Sequence, residues 1–215
     1  IPVQTIDGTT ENIVITITGT NDVPDITGGA VVFDNITDAT TTFIVDLLDG
    51  ATDVDTTDTL TVTGLTYSGN TSGITVTNNT LSVDPSAYAS LGAGVTEVIT
   101  YSYNIVDSNG VSVPQTATVT ITGTNDVPVV SGAITGAATD ASATFTVDLL
   151  SGATDVDATD TLTVTNLSAS GDATGITIND NNTLTVDTTA YASLPVGATE
   201  NIIYSYTVTD GNGGT

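Results

Sequence analysis

The sequence predicts an all-β chain folded as tandem Greek-key β-sandwiches, and three observations lead there. Thr makes up more than a fifth of the residues and alternates with Val and Ile in short runs, the pattern of a pleated, half-buried surface. Whole blocks of sequence recur a little over 100 residues apart. No window holds a 3.6-residue apolar stripe of useful length, so helix is a minor component.

The elements follow in order along one unit. Strand-like runs occupy 25–33, 41–48, 58–67, 73–77, 80–84, 97–106 and 115–122, separated by clusters of Gly, Asn, Asp and Ser. The segment AYASLGAG between the fifth and sixth runs suits one helical turn. Seven strands in about 100 residues is the signature of an immunoglobulin-like sandwich. Tyr101 and Tyr103 alternate on a strand, as do Tyr204 and Tyr206, so at least one of each pair is expected in the core. Tyr67 and Tyr88 are the better candidates for exposure.

The repeats set the domain organisation. TFIVDLL at 42–48 returns as TFTVDLL at 144–150, and GATDVDTTDTLTVT at 50–63 as GATDVDATDTLTVT at 152–165. NTLSVD at 79–84 returns as NTLTVD at 182–187, and AYASL at 87–91 returns at 190–194. TGTNDVP stands unchanged at 18–24 and 122–128, an Asn-Asp-X-Pro joint between units. The expected division is 1–20 as the C-terminal hairpin of a preceding repeat, 21–124 as a complete sandwich, and 125–215 as a second sandwich lacking its last strand. Neither a signal peptide nor an apolar spanning run is present, so the chain reads as a fragment whose targeting signals lie elsewhere.

Charge narrows the chemistry. The chain has 25 Asp and Glu, no Lys, Arg or His, and no Cys. Two carboxylates about 4 Å apart repel by roughly 4 kcal/mol at an effective dielectric near 20. With no side-chain cation to offset them, clustered acids must stay apart, take up protons or bind metal ions. Nucleic acid is excluded as a partner because nothing could meet its phosphates, and anionic membrane surfaces fail on the same ground. Without Cys there are no disulfides and no thiolate zinc or redox sites.

In an immunoglobulin-like sandwich the incoming linker, the second-to-third strand loop and the sixth-to-seventh strand loop meet at one pole. Here these segments carry Asn125 and Asp126, then Asp155, Asp157 and Asp160, then Asp210. In the first unit the counterparts are Asn21 and Asp22, then Asp53, Asp55 and Asp58, then Asp107. The alternation of Asp-X-Asp is expected to put both carboxylates on one side. Hard divalent cations take six to eight oxygens from carboxylates, amides and carbonyls, which suits Ca2+ better than Mg2+. Zinc and copper lack their preferred nitrogen and sulfur donors. Turn chemistry is the competing explanation for each acid taken singly. Asp46 and Asp148 could be outer ligands or turn caps, and Glu97 lies at the opposite pole, within reach of the next joint. The loop spacing matches neither an EF-hand nor the nonapeptide of calcium β-rolls.

TITGTNDVP followed by GATDVDATDTLTVT, with TVTDGNGGT near the end of the repeat, resembles the cadherin-like tandem repeats of giant bacterial RTX adhesins. The resemblance covers essentially the whole chain. It implies secreted, extracellular extender modules at a bacterial cell surface, strung in arrays and held rigid by calcium within and between domains. By that likeness Asn125, Asp126, Asp155, Asp157 and Asp210 are interdomain ligands, and Asn21, Asp22, Asp53, Asp55 and Asp107 are their equivalents. The first unit departs from the pattern, with Asp107-Ser108 where the second has Asp210-Gly211, which weakens the case for ligation by that loop. The partners it implies are neighbouring repeats of the same chain.

Other classes fit less well. An enzyme has no His, Cys or Lys to use as base or nucleophile, and paired carboxylates for glycoside hydrolysis need an apolar cleft to raise one of them. A calcium-dependent carbohydrate-binding module would want more exposed aromatics than seven Tyr and three Phe supply. Thr rows that could bind ice are explained by solvent-facing strands. A third alternative is a fibre subunit polymerising head to tail, since ENIVITITGT at 11–20 reads as a seventh strand that the last unit lacks.

Overall fold

The computed structural model describes residues 2–4, 6–8 and 10–215. β1 (Pro2–Gln4) and β2 (Thr10–Asn12) form an antiparallel pair. The expected terminal hairpin also takes in residues 1, 5 and 9, which lie outside the described residues.

The first repeat contains β3 (Asp25–Ile26), β4 (Val31–Thr37), β5 (Phe43–Asp46), β6 (Ala51–Thr52), β7 (Thr61–Ser68), β8 (Ile74–Thr77) and β9 (Thr80–Val83). A 3-10 turn at Pro85–Tyr88 leads to β10 (Thr96–Val106) and β11 (Ser112–Thr122). One sheet has the order β4-β11-β10-β7, with β11 antiparallel to β10 and parallel to β4. The facing sheet is β5-β9-β8, and β3 pairs with β6 beside it. Strand periodicity explains the core directly. β10 buries Ile99, Tyr101, Tyr103 and Ile105, β11 buries Ala117, Val119 and Ile121, and they close on Val45, Leu47, Leu81 and Val83 of the other sheet. Each fully buried Val, Leu or Ile contributes about 1.5–3 kcal/mol. The Tyr103 hydroxyl crosses between the sheets to donate to the Leu47 carbonyl at 2.8 Å. Burial there pushes its own ionisation up to about 12.

The second repeat contains β12 (Val129–Val130), β13 (Phe145–Asp148), β14 (Ala153–Thr154), β15 (Thr163–Ser170), β16 (Ile176–Asn179), β17 (Thr183–Val186) and β18 (Ile203–Thr209), with a 3-10 turn at Thr188–Tyr191. β13-β17-β16 reproduces the three-stranded sheet, but β15 and β18 form a sheet of two strands. Among the described residues nothing takes the places of β4 and β11. The chain is thus all-β, in tandem sandwich-type repeats.

Several details depart from the sequence reading. The run 25–33 is broken into β3 and the start of β4, because Gly28 and Gly29 intervene and Gly29 adopts φ +72°. The helical turn starts ahead of AYASLGAG, where Asp84 accepts from Ser86 N–H and Pro85 opens the turn. Tyr67 is exposed as expected, but Tyr88 is 2% exposed, its hydroxyl donating to the Asn70 carbonyl. Tyr101 and Tyr103 are both core, since residues two apart on a strand share a face.

Candidate metal centre

The second-to-third strand loop of each repeat begins with Asp-Val-Asp, and its backbone winds around the first carboxylate. Asp157 N–H donates to Asp155 Oδ1 at 3.0 Å, and Asp55 N–H to Asp53 Oδ1 at 2.9 Å. This Asx-type turn separates the two acids of each pair instead of aligning them as an extended strand would. Asp155 faces Asp160 and Asp210, their carboxylate oxygens lying within 4.8 Å of one another. Asp53, Asp58 and Asp107 form the same group in the first repeat. Asp157 and Asp55 turn instead to the linker. Asp157 Oδ2 accepts from Asp126 N–H at 2.8 Å, and Asp55 Oδ2 from Asp22 N–H at 2.8 Å.

The last loop supplies the buried acid of each group. Asp210 Oδ1 accepts from the N–H groups of Asn212, Gly213 and Gly214, and its Oδ2 accepts from Asn125 Nδ2 at 2.9 Å. Asp107 does the same with Asn109 and Val111 N–H, and its Oδ2 accepts from Asn21 Nδ2 at 2.9 Å. The asparagine amides, ahead of the backbone donors, hold both carboxyls below the usual carboxylate value. Asp126 shifts the other way: burial comes first, then the charges of Asp157, Asp38 and Asp155, and its carboxyl is raised.

All twelve sequence-predicted residues therefore lie at the two poles, but in two layers. One layer is Asp53, Asp58 and Asp107 with Asn21, and Asp155, Asp160 and Asp210 with Asn125. The other is Asp55 with Asp22, and Asp157 with Asp126. The poles also differ in cover. Asn125 and Asp126 are half-buried, whereas Asn21 and Asp22 are exposed. The first repeat covers the joint: Ala158 N–H donates to the Ser90 carbonyl at 3.1 Å, and Gly92 lies against Thr159.

Hydrogen bonding separates these acids from ordinary turn residues. Asp46 and Asp148 cap their turns, accepting from Leu48 and Leu150 N–H, both at 2.9 Å. Glu97 and Glu200 are used locally, by Asn70 N–H at 2.6 Å and Asp172 N–H at 2.8 Å, so Glu97 serves its own pole and not the joint. Among the described residues the buried side-chain oxygens without a partner are Asp53 Oδ2, Asn125 Oδ1, Asp155 Oδ2, Asp157 Oδ1 and Asp160 Oδ2. Four of the five sit at the joint between repeats. At the first repeat's own pole, Ser108 Oγ and Asn109 Nδ2 donate to Asp58, leaving fewer free acceptors.

A buried acceptor without a donor costs about 1–3 kcal/mol, more if charged. The carboxylate oxygens of Asp155, Asp160 and Asp210, and those of Asp53, Asp58 and Asp107, lie close enough together for a cation with ligands at 2.3–2.6 Å to bridge, and all are hard donors. The residues fit a calcium-type ion. Sequence reasoning missed Asp38. It is 5% exposed, and its carboxylate accepts from Thr124 N–H (3.1 Å to each oxygen) and Thr124 Oγ1 (2.6 Å), tying the joint to the first repeat. Its only trace in the sequence is an equivalent acid, Asp140, one repeat later.

Residues 20–122 and 124–215 each match the family model of the cadherin-like domain. No curated protein matches the chain.

Proposed function

The chain belongs to the cadherin-like domain family, and from that premise we propose that it is a calcium-braced extender of a bacterial adhesin of the RTX type. Cadherin-like domains serve extracellular adhesion or structure and are in general not enzymes. The observation that carries the finer reading is the placement of partnerless buried oxygens on Asn125, Asp155, Asp157 and Asp160, at the junction of two repeats.

The chain's own residues do most of the bracing. Asn125 reaches back to Asp210, Asp126 offers its N–H to Asp157, and the loop carrying Asp157 leans on Ser90 of the preceding repeat. The linker is thereby held from both sides, but with several carboxylates facing each other. Bound calcium would supply the positive charge those carboxylates lack. Extracellular calcium modules bind at about 10⁻⁴ to 10⁻³ M, so such an array stiffens outside the cell. A stiff, strongly negative array that resists sticking to its own kind suits a spacer holding a distal binding region away from a surface. Among the described residues no helix is long and apolar enough to cross a membrane.

Small-angle X-ray scattering in excess calcium and in excess EDTA tests this. An extended, stiff particle that becomes shorter on average and flexible in EDTA supports it. Superimposable profiles overturn it.

A further inference from the structure

The first repeat takes the chain in at one pole and passes it on at the other. The incoming linker leads through β3, paired with β6 at two register positions, and then through Gly28 and Gly29 into β4. The chain leaves from the end of β11, at Thr122. β4 and β11 are neighbours and run parallel, from Val31 beside Ala117 to Thr37 beside Thr122. A pull between the two linkers therefore drags β4 by its first residue and β11 by its last, in opposite directions along their common axis.

That direction decides how the cross-strand bonds are loaded. Strands drawn past each other share the load over all their bonds at once, whereas strands peeled from one end lose them singly. Forced unfolding is governed by the rate of unfolding, so bonds that must fail together raise the resistance. The short β3–β6 pair gives way first. β11 is paired with β10 at eleven positions and with β4 at five, and β4 stands at the edge of the sheet. β4 is thus the strand that must slide.

Three features oppose that slide. Val31, Phe33 and Ile36 turn into the core, and Phe33 stacks on Phe43 with ring centroids 5.6 Å apart. A slip of one residue would turn that set outward. β4 also takes three steps from Phe33 to Ile36 where β11 takes two from Val119 to Ile121, with Asn35 at φ +59°. This bulge fits one register only. Beyond the last pair, Asp38 N–H donates to the Thr122 carbonyl at 3.2 Å, and the Asp38 carboxylate accepts from Thr124 N–H. None of these contacts uses the acidic clusters at the poles, so they hold with or without an ion.

We infer that the first repeat is a force-bearing unit in which β4 clamps β11, strong against tension along the chain and weak against peeling. This is a function beyond keeping distance, and it does not rest on the calcium brace.

Single-molecule force spectroscopy on the 215-residue chain, with handles on introduced cysteines, tests it. The chain has no Cys of its own, so each introduced pair sets one pulling direction. Val23→Cys with Val127→Cys, both exposed, loads the two linkers. Ala39→Cys with Val127→Cys pulls on the ends of β4 and β11 that share a pole, and so peels them apart. At one pulling speed the first pair should need at least about twice the force of the second, in calcium and in EDTA alike. Its main event should lengthen the chain by about 300 Å, the span of residues 31–122, after a first step of at most about 25 Å as β3 lets go. The direction dependence in EDTA separates this outcome from that of the brace, which needs the ion. A ratio below two, or one that appears only in calcium, overturns the inference.

Discussion

Asp160→Asn should have opposite effects on the second repeat with and without calcium. Asp160 Oδ2 is buried and has no donor, and its neighbours at the cluster are the oxygens of Asp155 and Asp210. At the 4.8 Å limit of that cluster, the Asp155–Asp160 repulsion alone is about 3.5 kcal/mol at an effective dielectric of 20. Both residues are partly exposed, so solvent screening reduces this to about 1 kcal/mol. The asparagine keeps Oδ1 for the Asn212 amide, at 2.8 Å in the parent protein, and places an N–H2 donor where the unpartnered oxygen was. In EDTA the variant should therefore be about 1 kcal/mol more stable, melting about 4–8 °C higher for a repeat of this size. In calcium the order should reverse. An ion at a hundredfold excess over its dissociation constant stabilises a single site by about 2.7 kcal/mol, or about 10–20 °C in melting temperature. The variant, with one ligand charge fewer, should lose at least half of that gain. Calorimetric melts of both proteins in both buffers check it. A variant that melts at or below the parent in EDTA, or one that keeps the full calcium response, would refute the account of the cluster as mutually repelling acids.

Other outcomes follow from the same geometry. A Cβ on Gly92 would collide with Thr159 Oγ1 across the joint, so Gly92→Val should broaden the scattering-derived distance distribution in calcium without lowering the first repeat's melting temperature, and adding Thr159→Ala should largely reverse it. Asp107 and Asp210 have carboxyls held below the ordinary value of about 3.9. Their stabilisation is thus fully present above that value and lost as pH falls through the lower folded value, which melts at pH 5 and pH 3 in EDTA will show as a drop. Asp126 is raised, so its contribution is present below the ordinary value and lost as pH rises through the folded one; Asp126→Asn should therefore melt higher than the parent in EDTA at pH 7.

The strands were legible because period-two alternation and burial are one phenomenon: Ile99, Tyr101, Tyr103 and Ile105 read as a face in the sequence and form one in the fold. The poles were legible because acids without cations stand out in any chain. The layering within each pole was not. Asp155 and Asp157 look equivalent as letters, and only the turn that donates Asp157 N–H to Asp155 sends one carboxylate to the cluster and the other to the linker. Residues 133–139 resisted prediction for a different reason. Their counterparts at 31–37 are a strand because β11 lies beside them, so the element is set by a neighbour and not by its own residues. Asp38 was hidden because a lone Asp in the run Thr37-Asp38-Ala39-Thr40 signals a turn, and its partner Thr124 lies 86 residues away.

Asp38 exposes a division of labour along the linker. Upstream of Asn125, the chain is fixed to the first repeat by groups that need no ion. Thr124 is held by Asp38, Gly123 N–H donates to the Val95 carbonyl at 2.8 Å, and Gly94 N–H donates to the Gly123 carbonyl at 2.9 Å. Downstream, Asn125 and Asp126 are fixed to the second repeat through Asp210 and Asp157, where the unpartnered oxygens gather. The pivot thus lies near the Thr124–Asn125 bond, and a bound calcium ion would act on one side of it. Hydrogen bonds to a charged acceptor are each worth about 1.5–3 kcal/mol, so Asp38→Ala should free the upstream side at a cost of that order to the first repeat. In calcium this variant should scatter as a hinged pair, although every cluster residue is intact and calcium binding by titration is unchanged within about twofold. Asp38→Asn, which keeps one acceptor for Thr124, should fall between. If Asp38→Ala remains as stiff as the parent in calcium, the ion alone fixes the joint, and the upstream hydrogen bonds only trim the end of β11.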